Sequence, residues 1–189
     1  MATVINPELH KLDRAGCDVI QIDEPVLWLR TEDQKWGIKA INSCFEGVKH
    51  AIRAIHICQG NYNPDPSAHV GLRIFPAEFE NVLPIIQDAE VDVVLMAFAS
   101  LGVEDLKALA KFPDDKILGI GAIDVQNHRI ETPEDVARII ERVSKFVEPE
   151  RLWVNPDCGL NHLPRDTAFG KLRAMILGAM LAKSRLIQD

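Results

Sequence analysis

The residues best suited to chemistry are His56 and Cys58, in the apolar run Ala54-Ile55-His56-Ile57-Cys58. Side chains of a strand alternate between faces, so a strand here puts the imidazole and the thiol on one side, a pleat apart. Such a pair can supply two ligands to a borderline-soft ion such as zinc. Far along the chain, Leu152-Trp153-Val154-Asn155-Pro156-Asp157-Cys158-Gly159-Leu160 reads as a second strand running into a Pro/Gly loop that carries another thiol. Either piece alone is more often packing, because reduced cysteine is among the most buried residue types. At two strand ends of one parallel α/β sheet they can meet, since parallel strands finish on a common edge.

The elements that must position them follow from hydrophobic spacing and stop signals. A helix is expected over Asn6 to Ala15, stopped by Gly16, and a strand over Cys17 to Asp23. Trp36 to Ala51 has helical spacing and leads into the His56 strand, after which a polar, Pro-rich loop runs from Asn61 to about Gly71. A helix over Ala77 to Ala89, a buried strand over Val91 to Phe98, a helix over Val103 to Lys111 and a glycine-containing strand over Lys116 to Ile123 follow. Thr132-Pro133-Glu134-Asp135 is a strong helix start, with an N-cap, proline in the first position and acids in the first turn; that helix is expected to reach about Phe146. The Trp153 strand and an amphipathic helix from about Asp166 to Leu186 close the order.

Strands that alternate with helices predict right-handed βαβ units and a parallel sheet. No Gly-x-Gly-x-x-Gly follows the first strand and no Walker A sequence occurs, so nucleotide-binding doubly wound folds gain no support. Polar residues gather at the strand ends, where barrel enzymes carry their chemistry, but five strands are too few to close an eight-stranded barrel.

Bulk properties bound the rest. The chain has 189 residues, 47% of them hydrophobic and 26% charged, as expected for one globular domain. A net charge of −7 argues against a nucleic-acid partner. No stretch approaches the roughly 18 apolar residues of a membrane span, and the N-terminus lacks a basic then apolar leader. A cytoplasmic location with no membrane partner is the expectation. There Cys17, Cys44, Cys58 and Cys158 stay reduced, and metal binding or burial is favoured over disulfides.

Four segments in order carry a family resemblance: Gln21-Ile22-Asp23-Glu24-Pro25; His56-Ile57-Cys58; Gly121-Ala122-Ile123-Asp124 with Arg129-Ile130; and Val154-Asn155-Pro156-Asp157-Cys158-Gly159-Leu160. Together they resemble the catalytic barrel of cobalamin-independent methionine synthase. The loop with Gly60-Asn61 is more similar to shorter relatives of that synthase, whose methyl donors and acceptors vary. The resemblance implies a TIM-type (β/α)8 barrel of which residues 1–189 supply about the last five βα units, lacking the first three.

By that resemblance His56, Cys58 and Cys158 are Zn2+ ligands. Asp23 matches the acid that holds the amino group of homocysteine, and it is also read as a plain strand-end cap. Asp124 is a candidate substrate-binding residue, with structural capping as its alternative. The implied activity is zinc-dependent methyl (alkyl) transfer to a thiol such as homocysteine, with a methyl-folate as one possible donor. The alternative is a truncated or diverged non-catalytic member that keeps the fold.

One departure concerns the metal. Ala97 stands where the family carries a Glu that is the fourth zinc ligand at rest, leaving that position to water or a neighbour. His128 and His162, in loops near the same edge, are candidates to replace it, with solvent exposure the simpler reading. Cys17, Cys44, Trp28 and Trp153 are read as packing, and spacing suggests no partner for His10, His50 or His69. A half-barrel would leave two bare strand edges, so a homodimer or a complementing chain is expected to cover them.

Overall fold

The computed structural model describes residues 2–24, 27, 31–58, 79–102 and 106–187. Pro25, Trp28, Gly60, Asn61, His69 and the rest of the 61–71 loop lie outside the described residues, as do the expected helix starts at Ala77 and Val103.

Five strands alternate with helices in the expected order, except between the third and fourth strands: α1 (Ala2–Arg14), β1 (Val19–Glu24), α2 (Gln34–Phe45), β2 (Ile52–Ile57), α3 (Phe79–Ile86), β3 (Val93–Ala97), β4 (Ile117–Gly121), α4 (Pro133–Val143), β5 (Leu152–Asn155) and α5 (Arg165–Leu186). All neighbouring strands pair in parallel, and the spatial order is β1-β2-β3-β4-β5. Every crossover therefore steps one strand in the same direction. Right-handed connections that never reverse keep their helices on one side, which is the winding of a barrel wall and not of a doubly wound sheet.

Three expectations need correction in detail. The second helix stops at Phe45, six residues short of Ala51. Glu46 leaves helical geometry and Gly47 takes a φ of +78°, a conformation open mainly to glycine. The buried Asp13 carboxylate of α1 then collects the backbone N–H groups of Lys49, His50 and Ala51, holding that stretch as a loop. Between β3 and β4 the described residues form a 3₁₀ turn, Lys107–Lys111, in place of the expected α-helix.

The third correction concerns α5, which is not simply amphipathic. Its buried stripe is Lys171, Ala174, Gly178 and Ala182, mostly small, while Phe169, Ile176, Leu177 and Met180 are exposed. The small stripe lets α5 lie close on α4: a Cβ on Gly178 would run into the Val136 side chain. Helix α4 starts as its sequence foretells, with a capping box in which Thr132 and Asp135 exchange side-chain and backbone hydrogen bonds.

The core lies between the sheet and its helices. Ile55 and Ile57, Val94 and Met96, and Leu118 and Ile120 point to that side and are fully buried. Cys44 is in this core and Cys17 packs against it, as read from the sequence. Among the described residues no helix is long and apolar enough to cross a membrane.

Candidate metal centre

The alternate residues of the same strands face the other way, and register sorts them into rows. Asp23, His56, Leu95, Gly119 and Trp153 lie side by side across the five strands. The next row towards the C-terminal edge contains Ala97, Gly121 and Asn155. Cys58, two residues beyond His56, continues β2 to this level, its N–H donating to the Glu24 carbonyl at 3.3 Å.

Into this edge comes the loop after β5. The Sγ atoms of Cys58 and Cys158 are 3.8 Å apart, and one ligand atom each from His56, Cys58 and Cys158 all fall within 4.8 Å of one another. Among the described residues no other group of three or more His, Cys, Asp or Glu converges in this way. The donor set suits a metal. Two thiolates 2.3 Å from a tetrahedral zinc are about 3.8 Å apart, which matches the observed pair. His56 is buried, and its Nε2 has no hydrogen-bond partner among the described residues. An orphaned imidazole nitrogen is costly unless it binds something.

Without a cation the two thiols resist ionising together. The Cys158 thiol is held well above its usual range by the hydrogen bond it shares with Cys58, then by burial and by the negative charges of Cys58 and Asp23. A bound cation reverses that balance, since a coordinating thiol gives up its proton outright.

Asp23 is exposed, one strand over from His56, with Gln21 Nε2 donating to its Oδ1 at 2.7 Å. Asp124 turns inward on its own loop: Oδ1 accepts from the Gln126 N–H and Oδ2 from Asn127 Nδ2. His162 is tied by Nε2 to the Val125 carbonyl at 2.7 Å, and neither it nor His128 joins the cluster. Trp153 is half-buried in the His56 row rather than in the core.

Sequence reading missed Asp157, whose side chain is completely buried. Its carboxylate accepts the N–H groups of Phe98, Ala99 and Ser100 at 3.0, 3.1 and 2.7 Å. Burial pushes its pKa up to about 7, against the lowering effect of a hydrogen bond with the Ser100 side chain and of these N–H groups. The signal lay in the Pro-Asp-Cys-Gly loop itself, an acid beside a candidate ligand. Asn155 Oδ1, also buried, likewise has no partner among the described residues.

The model of the catalytic domain of cobalamin-independent synthase matches residues 1–181. The chain belongs to the cobalamin-independent methionine synthase family. It is 39% identical over 186 residues to a methionine synthase of Saccharolobus islandicus (strain Y.G.57.14), covering 98% of this chain and 51% of that protein. The methionine synthase of Saccharolobus solfataricus is 37% identical over the same share. A solved B12-independent methionine synthase from Shewanella sp. W3-18-1, in complex with selenomethionine, superposes with a TM-score of 0.84 at 28% identity, covering 100% of this chain and 55% of that one. The chain thus spans about half the length of the relatives it matches.

Proposed function

We propose that His56, Cys58 and Cys158 hold a zinc ion at which a thiol substrate such as homocysteine accepts a methyl group, in a reaction like that of 5-methyltetrahydropteroyltriglutamate–homocysteine methyltransferase. The observation that carries this reading is the meeting of three ligand atoms from two segments 100 positions apart. Two thiolates and one neutral imidazole suit zinc and leave a position for a ligand from outside. Zinc so held lowers the pKa of a thiol bound to it, so that the thiol is a nucleophile at neutral pH.

The chain's own residues do the remaining work. Asp23, exposed beside His56, supplies the counter-charge for the ammonium group of an amino-acid thiol. Asp124 shapes the rim by closing its own loop. The acceptor sulfur forms the new S–CH3 bond as the bond between methyl and donor breaks; the donor keeps that electron pair, and the proton the thiol gives up ends on the demethylated donor. The Shewanella relative in complex with selenomethionine fits a pocket for such methylated amino acids.

Residues 1–189 act in this reading as the last five βα units of an eight-unit barrel. A complementing polypeptide, or a second copy, covers the open edges. Support comes from β5, whose four residues are all only half-buried although three are apolar, and from Val19 on the opposite edge, 41% exposed. The second reading, a non-catalytic member that keeps the fold, is favoured by Ala97 in the Cys58 row, where a fourth donor would stand.

Elemental analysis of wild type beside Cys58→Ala and Cys158→Ala tests the metal site, and methyl transfer separates the two readings. About one zinc per chain, lost in both variants, is the expected result. Methyl transfer measured with and without the first barrel units then tests the activity. No zinc in protein prepared without chelators favours the non-catalytic reading.

A further inference from the structure

We infer that Asp157 is a positioning residue of the metal site: its carboxylate, seated in the gap left by Gly121, clasps the turn after β3 and so sets the Cys158 thiol against Cys58 and His56. The inference rests on the zinc reading of those three residues. It adds a residue that touches none of the reacting groups and acts through Cys158.

Asp157 is where three segments are tied together. Its two carboxylate oxygens take the N–H groups of residues 98–100, which directly follow β3. Its own N–H donates to the Ile123 carbonyl at 2.9 Å, in the loop after β4. The clasp therefore starts beyond β5, crosses the end of β4 and closes on β3, the strand beside the one that carries His56 and Cys58. Cys158 is the next residue, its Cα about 3.8 Å from that of Asp157, so fixing one fixes the other's range.

The crossing needs a glycine beneath it. A Cβ on Gly121 would collide with Asp157 Oδ1 and approach the Met96 carbonyl oxygen to 2.8 Å and the Ala97 Cα to 2.9 Å. A carboxylate is an expensive group to bury, and an apolar side chain would fill the space more cheaply. What the carboxylate adds is geometry: three backbone donors, two of them shared with the Gly121 carbonyl, converge on two oxygens. Beyond the β4–β5 ladder and the Cys58–Cys158 contact itself, fastenings of this loop such as His162 to Val125 and Asn155 Nδ2 to the Pro156 carbonyl do not reach β3.

The test compares Asp157→Asn, Asp157→Ala and Gly121→Ala with Val136→Ala, a core variant away from the site. Zinc and cobalt affinities are measured by competition with a chromophoric chelator. In metal-free protein, the rate at which diamide joins Cys58 to Cys158 reports thiol proximity without any metal; the diazene takes up the two electrons and two protons. Outer partners of metal ligands typically contribute 10–100-fold to affinity. The expected result is a loss of that size in Asp157→Asn and Gly121→Ala, a slower crosslink in both, and neither change in Val136→Ala.

Folded Asp157→Asn and Gly121→Ala proteins with wild-type affinity and wild-type crosslinking would overturn the inference, whatever happens to Asp157→Ala. If wild type takes up no zinc or cobalt, the zinc reading fails instead. The crosslinking rates of the metal-free variants then still decide the role of Asp157.

Discussion

The two faces of one sheet differ in what they ask of the same strands. Towards the helices, Ile55, Ile57, Val94, Met96, Leu118 and Ile120 form a continuous core with at most 1% of any side chain exposed. Their alternates on the other face include an exposed acid, an imidazole whose Nε2 has no partner among the described residues, two glycines and a half-buried tryptophan. The first face is set by packing, where volume matters and identity is interchangeable among apolar residues. The second is set by chemistry and by close approach, where single atoms matter. A residue's parity along its strand thus assigns it to the helix-packed core or to the face of the candidate site.

Exchanging the readouts tests that division. Cys158→Ala, on the site side, is expected to abolish metal binding while the melting temperature of the metal-free protein barely moves. Ile120→Ala, on the packed side, is expected to cost about 2–5 kcal/mol in urea unfolding and to leave metal stoichiometry intact below the transition. Equal loss of metal in both would erase the distinction between the faces.

Ala97 offers a finer probe, since its row contains the site but its side chain supplies no donor. Ala97→Glu is expected to destabilise the metal-free protein, by burying a charge, and to tighten zinc binding by adding a carboxylate ligand. Calorimetric melts with and without zinc should show a wider gap than in wild type. A gap no wider than wild type would place Ala97 away from the ion.

Far from the site, Asp13 makes a purely structural contrast. Its carboxyl pKa is lowered chiefly by the Ala51 N–H, with Lys49 and His50 adding to the effect against burial. A group whose folded pKa is depressed stabilises the fold above its unfolded pKa of about 3.9, and that stability fades as pH falls towards the folded value. Asp13→Asn should therefore flatten the acid limb of the stability profile below about pH 4 without touching metal content. An unchanged acid limb, followed by circular dichroism, would remove Asp13 from the account.

Much of this was legible in the residues. The His-x-Cys strand and the Asp-Cys-Gly loop each mark a candidate ligand, and alternating β and α patterns bring their ends to one edge. Thr132-Pro133 marks a helix start that the structure keeps. What escaped depends on partners distant in sequence. Helix α2 stops early because Asp13, more than 30 positions away, captures the N–H groups beyond it. The small buried stripe of α5 is meaningful only once Val136 lies across Gly178. Asp157 reads as a turn residue until its carboxylate is seen on residues 98–100.

The central claim is that two distant thiols and one imidazole form a single metal site. The most direct measurement is titration of the metal-free chain with cobalt(II), following the thiolate-to-cobalt charge-transfer band in wild type and in each single alanine variant of Cys58 and Cys158. The account predicts saturation at one equivalent in wild type, with the band lost in both variants alike. A wild-type spectrum without the band, or one that survives either substitution undiminished, would contradict it.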